Sequence, residues 1–291
     1  MGLNPVPFGI TDSHLGGVPY VPRDGQIPTD KNGHQLWLCA QINFSQLPEL
    51  EGFPKVGIFQ LFLSDWHLDG GFGLASEGDG KIQDHWRAVY YPDVDETVTE
   101  AECLAKMAVP WEEGSRTNMP RTAHHQDLED IGEGYTYLWR TPSIPLKINF
   151  GPAEREAVSL DDFRFHRLFD AALAEMHPEE NPESFRPYGI WDQTEEEREA
   201  LHRVREQSKN GGCKIGGFPL YLQGDPRENA PELEAWDTLL LQLDEDLTRY
   251  PAGSIKEMDL DLSGGTLNVL IRSEDLARRD FSRLIARWSA T

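Results

Sequence analysis

Five polar residues interrupt apolar, strand-like runs, and they are the first candidates for a functional site. They are Gln41, Gln60, Gln242, Asp244 and Asn268. A buried amide costs roughly 1 to 3 kcal/mol unless it is hydrogen-bonded, so each must find partners within the fold. In the simpler explanation each amide ties its strand to a nearby turn. In the alternative, equivalent polar positions meet around a cleft that binds a small ligand or a peptide, with Asp244 as the candidate general base.

Two other clusters carry the nitrogen and oxygen ligands that metal ions use. One is His124-His125-Gln126-Asp127, and the other is the set of acids in the Gly-rich stretch 65–81. Adjacent side chains seldom converge on one ion, the pattern His-Glu-x-x-His is missing, and the acids do not have the spacing of an EF-hand loop. We therefore expect exposed polar loops at both places, with no metal and no other cofactor.

Patterns typical of nucleophilic catalysis or phosphate binding are missing from the sequence. There is no Gly-x-Ser-x-Gly elbow, and the Gly-Gly pair before Lys214 lacks the Gly-Lys-Ser/Thr run that opens a phosphate-binding helix. Cys213 lies beside Lys214, but a thiol becomes a nucleophile only in a defined electropositive environment. We identify no catalytic residue, and the sequence favours a protein that is not an enzyme.

The elements that must position the five polar residues occur twice, in the same order. The stretch from His14 to Tyr20 reads His-Leu-Gly-Gly-Val-Pro-Tyr, and the stretch from Lys214 to Leu220 reads Lys-Ile-Gly-Gly-Phe-Pro-Leu. The landmarks that follow are a Gln-containing strand at 40–43 and 241–244, a Gly-opened strand at 57–63 and 265–271, and an aromatic-flanked basic strand at 86–91 and 281–288. Four landmarks in one order indicate an internal duplication. The glycines are expected to permit positive φ, and the proline to fix the exit direction.

Helical patterns lie outside these strands. Thr99 with Glu102 predicts a capping box at the start of a short helix. Ser159 with Asp162 predicts the cap of a longer helix, whose apolar residues keep helical spacing as far as Met176. These helices are expected beside the strands and between the two repeats.

Three further features are predicted, one between the repeats and two in the second repeat. A helix is expected to begin at Thr194, and a hairpin is expected where Gly264-Gly265 follows the alternating stretch 258–262. By itself the stretch 272–288 reads as one amphipathic helix. Since its end corresponds to a strand of the first repeat, we predict instead a short helix over 273–280 that leads into a final strand over 283–288.

Together these patterns predict an α+β fold, internally duplicated, with a mainly antiparallel β core and helices inserted between the two repeats. The first repeat half is expected over 1–150, β-rich and with a Gly-rich insertion at 65–81. A helical acidic connecting segment is expected over 151–210, and the second repeat half over 211–291. Two related halves can pack as two lobes or merge their strands into one sheet system, and the sequence leaves both arrangements open.

The cysteines and the hydropathy pattern bear on location. Cys39, Cys103 and Cys213 are odd in number and show no Cys-x-x-Cys spacing, so neither a disulfide framework nor a structural zinc site is predicted. Cys39 lies in an apolar strand and is expected to be a small buried hydrophobic residue. No run approaches the roughly 20 apolar residues of a membrane span, and a secretory leader pattern is missing. We expect a soluble, cytoplasmic protein.

The charge excludes some classes of partner. The chain has 27 basic and 50 acidic residues, for a net charge of −23. Nucleic acids are held largely by Lys and Arg contacts to phosphate, and anionic membranes repel such a field, so neither is expected as a partner. A basic protein reached by electrostatic steering is the partner that fits, unless the acids form only a solvated surface. Acids outnumber bases from Ala153 to Glu199, so an electrostatic face should centre there.

The ordered motifs resemble the YwqG-like family of bacterial proteins of unknown function. The motifs are Gly-Gly-x-Pro-Tyr at 16–20, Ala-Gln-Ile-Asn at 40–43, Gly-x-x-x-x-Phe at 57–62, Lys-Ile-Gly-Gly-x-Pro at 214–219, Asp-Pro-Arg at 225–227, Leu-Leu-Gln-Leu-Asp at 240–244 and Asp-Phe-Ser-Arg at 280–283. The resemblance covers Leu15 to about Tyr91 and Gly211 to Trp288, and it excludes the insertions at 65–81 and 158–207. It implies a mixed α and β fold with a duplicated core, and it implies no established activity, cofactor or catalytic residue.

Three classes of function fit these observations. The first, which we favour, is a non-enzymatic cytoplasmic binding protein whose acidic surface holds a basic protein partner, as an immunity protein or an antitoxin does. The alternative is an enzyme or small-ligand binder with its site in the cleft between the two repeats. The third is a scaffold module that binds through exposed aromatic side chains such as Trp66, Trp111 or Trp191.

Overall fold

The computed structural model of the chain contains two antiparallel β-sheets and a few helices. It describes residues 1–4, 6–63, 86–110, 145–159, 162–179, 195, 199, 203, 210–228, 230–245, 262 and 264–290. The predicted α+β class with a mainly antiparallel β core is confirmed.

The first sheet has six strands. They are β1 (Gly2–Asn4), β2 (His14–Leu15), β3 (Trp37–Asn43), β4 (Ile58–Leu63), β5 (Trp86–Tyr91) and β6 (Leu146–Asn149). Their order is β1-β6-β2-β3-β4-β5, and all neighbouring pairs are antiparallel. The central strands β3 and β4 are buried along their whole length, as their near-continuous apolar runs predicted.

The second sheet has three antiparallel strands in the order β7-β8-β9. They are β7 (Thr238–Asp244), β8 (Gly265–Ile271) and β9 (Leu284–Ala290). The prediction for the end of the chain is confirmed, because a short helix over Ser273–Arg278 connects β8 to the last strand. The reading of this stretch as one amphipathic helix is wrong: Leu284, Ala286 and Trp288 alternate toward the core with the period of a strand.

The duplication is visible in the strand register. In the first repeat Gln41 is paired with Gln60, and the register shifts between Leu38 and Ala40. In the second repeat Gln242 is paired with Asn268, and the register shifts between Leu239 and Leu241. An irregularity at the same place in both ladders is a feature that the repeats share, since a bulge alters the twist of its strand.

The two sheets remain separate, but they bury their apolar faces in one hydrophobic cluster. Ile42 and Leu61 of the first sheet belong to the same cluster as Leu243 and Val269 of the second. Phe281, just before β9, reaches into the first repeat. Its ring centroid lies 4.3 Å from that of Tyr90, 5.7 Å from that of Phe59 and 6.0 Å from that of Phe44. The repeats therefore share a core, although their strands do not merge into one sheet.

Three α-helices are described. They are α1 (Glu100–Leu104), α2 (Phe165–Met176) and α3 (Ser273–Arg278). The predicted capping box is present at the start of α1, where the Thr99 side chain accepts from the backbone of Glu102 and the Glu102 side chain accepts from the backbone of Thr99. Single 3-10 turns lie at Phe44–Gln46, Pro226–Glu228 and Pro231–Ala235.

Helix α2 lies where the sequence predicted a helix, but its start differs. It begins at Phe165 after Arg164, whose side chain makes no capping hydrogen bond. The expected Ser159–Asp162 cap is wrong, because the helix begins after Arg164. The Asp162 carboxylate instead accepts from the Arg164 backbone N–H at 2.9 Å and from its guanidinium at 2.7 Å. The apolar stripe of this helix does not enter the core, since Leu168 is 53 % exposed.

Several predicted features lie wholly or mainly outside the described residues. They are the Gly-rich insertion at 65–81, the cluster at 124–127, the helix starting at Thr194, the strand at 258–262, and Trp66, Trp111 and Trp191. Among the helices that the structure does describe, none has the length and apolar character needed to cross a bilayer.

Candidate functional site

Each repeat carries a strap, the segment that contains its Gly-Gly-x-Pro turn and is hydrogen-bonded to the amides of its sheet. In the first repeat Gly16 and Gly17 turn the chain with φ of 63° and 80°. The Tyr20 N–H then donates to Gln41 Oε1 at 2.9 Å, and Gln60 Nε2 donates to the Tyr20 carbonyl at 2.8 Å. Both backbone groups of Tyr20 are thus held by the sheet.

The second strap repeats this arrangement. Gly216 and Gly217 have φ of 72° and 78°. The Leu220 N–H donates to Gln242 Oε1 at 2.8 Å, and Asn268 Nδ2 donates to the Leu220 carbonyl at 2.7 Å. Positive φ in both glycines of each pair matches the predicted role of the motif as a backbone device.

The two glutamines also hold the chain before each turn. Gln41 Nε2 donates to the carbonyls of Ile10 and Asp12, each at 2.8 Å. Gln242 Nε2 donates to the carbonyls of Asn210 and Gly212, again each at 2.8 Å. Both glutamines are fully buried. Each glutamine therefore binds the chain on both sides of its turn. These hydrogen bonds satisfy backbone groups of the strap that are buried in the fold.

The structure brings the five predicted residues together in two sets, one in each repeat. Gln60 Nε2 also donates to Gln41 Oε1 at 2.7 Å, which joins the first pair. Asp244 lies in β7 near Gln242, and its Oδ2 accepts from the Gly212 N–H at 2.7 Å. The sets lie on separate sheets, and in the second sheet Gln242 and Asn268 face away from the shared core, because they alternate with its apolar residues.

Two buried oxygen atoms at equivalent positions accept no hydrogen bond within the described chain. They are Gln60 Oε1 and Asn268 Oδ1. In both amides the nitrogen donates to a strap carbonyl. The amide oxygen, which only accepts, is then directed away from that carbonyl. An unpaired buried acceptor costs roughly 1 to 3 kcal/mol, so these atoms are places where a donor group would be stabilising.

The two turns differ in what covers them. At the second turn, Lys214 Nζ donates to Oε1 and Oε2 of Glu156, both at 2.8 Å, and the Phe218 N–H donates to Glu156 Oε2 at 3.0 Å. We call this arrangement of Lys214, Gly217 and Phe218 the carboxylate notch. A Cβ atom on Gly217 would overlap Glu156 Oε2, and the φ of 78° at this residue also favours glycine.

At the first turn Pro145 takes the place of that carboxylate. A Cβ atom on Gly17 would lie 2.9 Å from Cβ of Pro145. His14 corresponds to Lys214, is fully buried, and directs Nδ1 to the Gly16 carbonyl at 2.7 Å. Because a carbonyl only accepts, Nδ1 carries the proton and Nε2 is an unprotonated atom with no partner among the described residues.

Burial controls the titration of the groups at both turns. It lowers the pKa of His14 to about 4, against the hydrogen bond to Gly16 and the charge of Asp12. It lowers the pKa of the Lys214 ammonium, although the hydrogen bond and charge of Glu156 oppose this. Burial also raises the pKa of the Cys213 thiol to about 11. Cys213 is therefore a thiol at neutral pH and is not an activated nucleophile.

A buried ionic cluster fastens the connecting segment to the second repeat. The guanidinium of Arg227, which is 1 % exposed, donates to Asp225 at 2.6 and 2.9 Å and lies 3.5 Å from Asp162 Oδ2. The Phe163 N–H donates to Asp225 Oδ2 at 3.1 Å, and the Phe163 ring lies 4.3 Å from the guanidinium carbon of Arg227. These charges are satisfied within the fold, so the cluster has a structural role.

Sequence reasoning missed both the carboxylate notch and the ionic cluster. The Asp225-Pro226-Arg227 motif and the lysine before the second Gly-Gly pair were visible, but nothing in the sequence paired them with Asp162 and Glu156. Among the described residues no group of His, Cys, Asp or Glu side chains is arranged to hold a metal ion.

Comparison with known proteins gives a family and no activity. No curated protein matches the chain. A family model described as a domain of unknown function, DUF1963, matches residues 13–289 and so includes both repeats and the segment between them. The chain belongs to this DUF1963 family, whose function is unknown.

Proposed function

We propose that this chain is a non-enzymatic cytoplasmic binding protein whose acidic surface holds a basic protein partner, as an immunity protein or antitoxin holds its target. The observation that carries the proposal is that several basic side chains bind carbonyls and carboxylates of their own chain. Lys106 Nζ, for example, donates to three backbone carbonyls, those of Pro22 at 2.6 Å, Arg23 at 2.8 Å and Gly25 at 2.8 Å. Its charge is therefore bound to backbone carbonyls of the fold, and within the described residues it is not paired with a carboxylate.

Ion pairs with carboxylates of the same chain hold further cations. They are Lys147 with Asp12 at 3.1 Å, Lys214 with Glu156 at 2.8 Å, and Arg227 with Asp225 at 2.6 Å. Each pair joins one base to one acid, so the net charge of −23 is carried by the other side chains. The excess of 50 acidic over 27 basic residues then falls on the surface, where it attracts a basic partner and speeds its association.

The acidic connecting segment is the part of the surface to which we assign this role. Five of its described acids are exposed, at positions 154, 175, 179, 195 and 199. Exposed charges are screened by salt over a Debye length of roughly 10 Å at 0.1 M ionic strength. Binding that depends on them should therefore weaken as salt is added.

The test is capture of a partner from native lysate, at low and at high salt, on wild type and on a variant with Glu154, Glu175, Glu179, Glu195 and Glu199 changed to Lys. We expect a basic protein that binds wild type at low salt and is lost both at high salt and on the variant. Its purified form should then bind wild type with an affinity that falls with salt.

The matched control reverses five exposed acids of the first repeat, which are Glu49, Glu51, Asp93, Glu96 and Glu100. This variant has the same net charge as the first one but keeps the connecting segment intact. If both variants lose the partner equally, overall charge rather than this segment holds it. If neither does, the proposal is wrong.

A second candidate function is binding of a small ligand by the polar residues of the repeats, namely Gln41, Gln60, Gln242, Asp244 and Asn268. It is supported by the unpaired oxygens of Gln60 and Asn268, because a ligand with an N–H or O–H donor would satisfy them. A thermal-shift screen should then yield compounds that stabilise wild type but not Asn268→Leu. A screen in which every hit stabilises both proteins equally would dismiss this candidate.

We infer in addition that the YwqG-like bacterial proteins are the relatives of this chain within its family. The ordered motifs at 16–20, 214–219 and 225–227 support this inference. Its test is the solved structure of such a relative, which should have the glutamine-held strap in both repeats.

A further inference from the structure

The carboxylate notch of the second repeat has the composition of a binding site for a carboxylate. It combines the ammonium of Lys214, the backbone N–H of Phe218 and the space beside Gly217 that the absence of a Cβ atom leaves for a carboxylate. The Phe218 N–H lies at the end of the Gly216-Gly217 turn, and backbone N–H groups in turns can bind anions. Glu156 fills this site with the carboxylate of its own chain.

The notch is not required by the duplicated fold. The first repeat has the same strap, the same glutamine and the same hydrogen bonds, but Pro145 covers its turn and His14 replaces the lysine. The strap is therefore stable without an anion. The carboxylate notch is present in one repeat and missing from the other, and this difference indicates a role beyond holding the turn.

The carboxylate of Glu156 is placed so that it can leave. Glu156 belongs to the stretch 151–159, which has neither helix nor strand, and its neighbours at 153–155 and 157 are exposed. The side chains of Lys214 and Glu156 are 14 % and 27 % exposed, so the notch opens to solvent. The nearby hydrogen bond from Asn210 Nδ2 to the Ala157 carbonyl, at 3.3 Å, can keep the stretch attached while Glu156 swings out.

We propose that the carboxylate notch binds a single carboxylate of an otherwise basic peptide, and that Glu156 is the resident group which this carboxylate displaces. The net charge of −23 disfavours ligands with several negative charges, whereas a basic peptide with one carboxylate is attracted overall. Capture of a terminal carboxylate by backbone N–H groups is a known mode of peptide recognition. The basic character of the peptide rests on the proposed function, but the carboxylate requirement does not.

The test is calorimetric titration of the full chain with three short Lys-Ala peptides. One has a free C-terminal carboxylate, one has a C-terminal amide, and one has a C-terminal amide after a final Glu. The proteins are wild type, Glu156→Gln, the double variant Glu156→Gln with Lys214→Met, and Glu154→Gln as the control at an exposed neighbouring acid. The first and third peptides distinguish a chain-terminal from a side-chain carboxylate.

We expect Glu156→Gln to bind a carboxylate-bearing peptide about tenfold or more tightly than wild type does, since its notch has lost the competing anion. The same variant should prefer that peptide over the plain amide by a similar factor, and the double variant should lose the preference. Glu154→Gln should behave as wild type does. Equal affinity of Glu156→Gln for all three peptides would overturn the proposal.

A second measurement keeps the test valid if Glu156→Gln folds poorly. In wild type, the amide NMR signal of Phe218 should shift in a saturable way as the carboxylate-bearing peptide is added, and not with the plain amide. A Phe218 signal that responds identically to both peptides would contradict the proposal. Salt-dependent binding of the plain amide would still support the acidic-surface function, so the two proposals can fail separately.

Discussion

Gln242 lies directly across the β7–β8 ladder from Asn268, and the two amides hold both backbone groups of one residue, Leu220. The first repeat has the same arrangement at Tyr20. Because the N–H and the carbonyl of one strap residue are both hydrogen-bonded to the sheet, the strap cannot slide along it. The buried amides therefore define where each Gly-Gly-x-Pro turn lies.

Replacing Gln242 by Leu should destabilise the protein by about 2 to 4 kcal/mol, because the Leu220 N–H and the carbonyls of Asn210 and Gly212 would lose buried partners. The measurement is the free energy of unfolding in urea. Gln223→Leu, at an exposed position, is the control and should change little. A Gln242→Leu protein as stable as this control would show that the strap needs no amide.

Replacing Arg227 by Met should destabilise the protein by about 3 to 5 kcal/mol, because the Asp225 carboxylate would remain buried without its charged partner. Adding Asp225→Asn should recover part of the loss, which a double-mutant cycle in urea measures. Lys55→Met removes the exposed Lys55–Glu49 pair and should have little effect. Additive losses in the cycle would contradict the ionic cluster.

The buried His14 should make the protein less stable as the pH falls from about 6.5 to about 4. Its pKa is about 4 in the folded chain and 6.5 when exposed, so the unfolded state binds the extra proton first and is favoured. The loss should reach about 3 kcal/mol, since one pKa unit corresponds to about 1.4 kcal/mol. The measurement is the urea midpoint as a function of pH.

His14→Asn is the informative variant for this pH dependence, because an amide can still donate to the Gly16 carbonyl but does not titrate in this range. Its stability should be nearly constant between about pH 6.5 and 5.5, where carboxylates with ordinary pKa values remain mostly ionised. The exposed His177 provides the control, and His177→Asn should keep the slope of wild type. An unchanged slope in His14→Asn would assign the effect to other groups.

Phe281 should couple the stability of the two repeats. Phe281→Ala would leave a cavity against Phe44, Phe59 and Tyr90, and we expect a loss of about 3 to 5 kcal/mol. Leu168→Ala, in the exposed stripe of α2, should change stability little. The measurement is urea unfolding followed by tryptophan fluorescence and by circular dichroism. If the first repeat kept its stability while only the second weakened, the shared core would not be cooperative.

The sequence determined the features that depend on a few neighbouring residues. Near-continuous apolar runs marked the strands at 37–43 and 58–63, alternation of apolar residues marked the strand at 265–271, and Thr99 with Glu102 marked the start of α1. The duplication corrected a misleading helical periodicity at the end of the chain, because the first repeat showed that the equivalent residues form a strand. It also identified Gln41 and Gln242 as equivalent.

Only the tertiary structure decided which distant groups meet. Two pairs of residues that are distant in the chain are examples: Glu156 with Lys214, and Asp162 with Arg227. Their local sequence patterns are equally compatible with exposed, unpaired charges. The choice of partner depends on how the connecting segment packs against the second repeat and on the burial that makes an unpaired charge costly. Local periodicity carries no information about that packing, so the carboxylate notch and the ionic cluster became visible only in the folded chain.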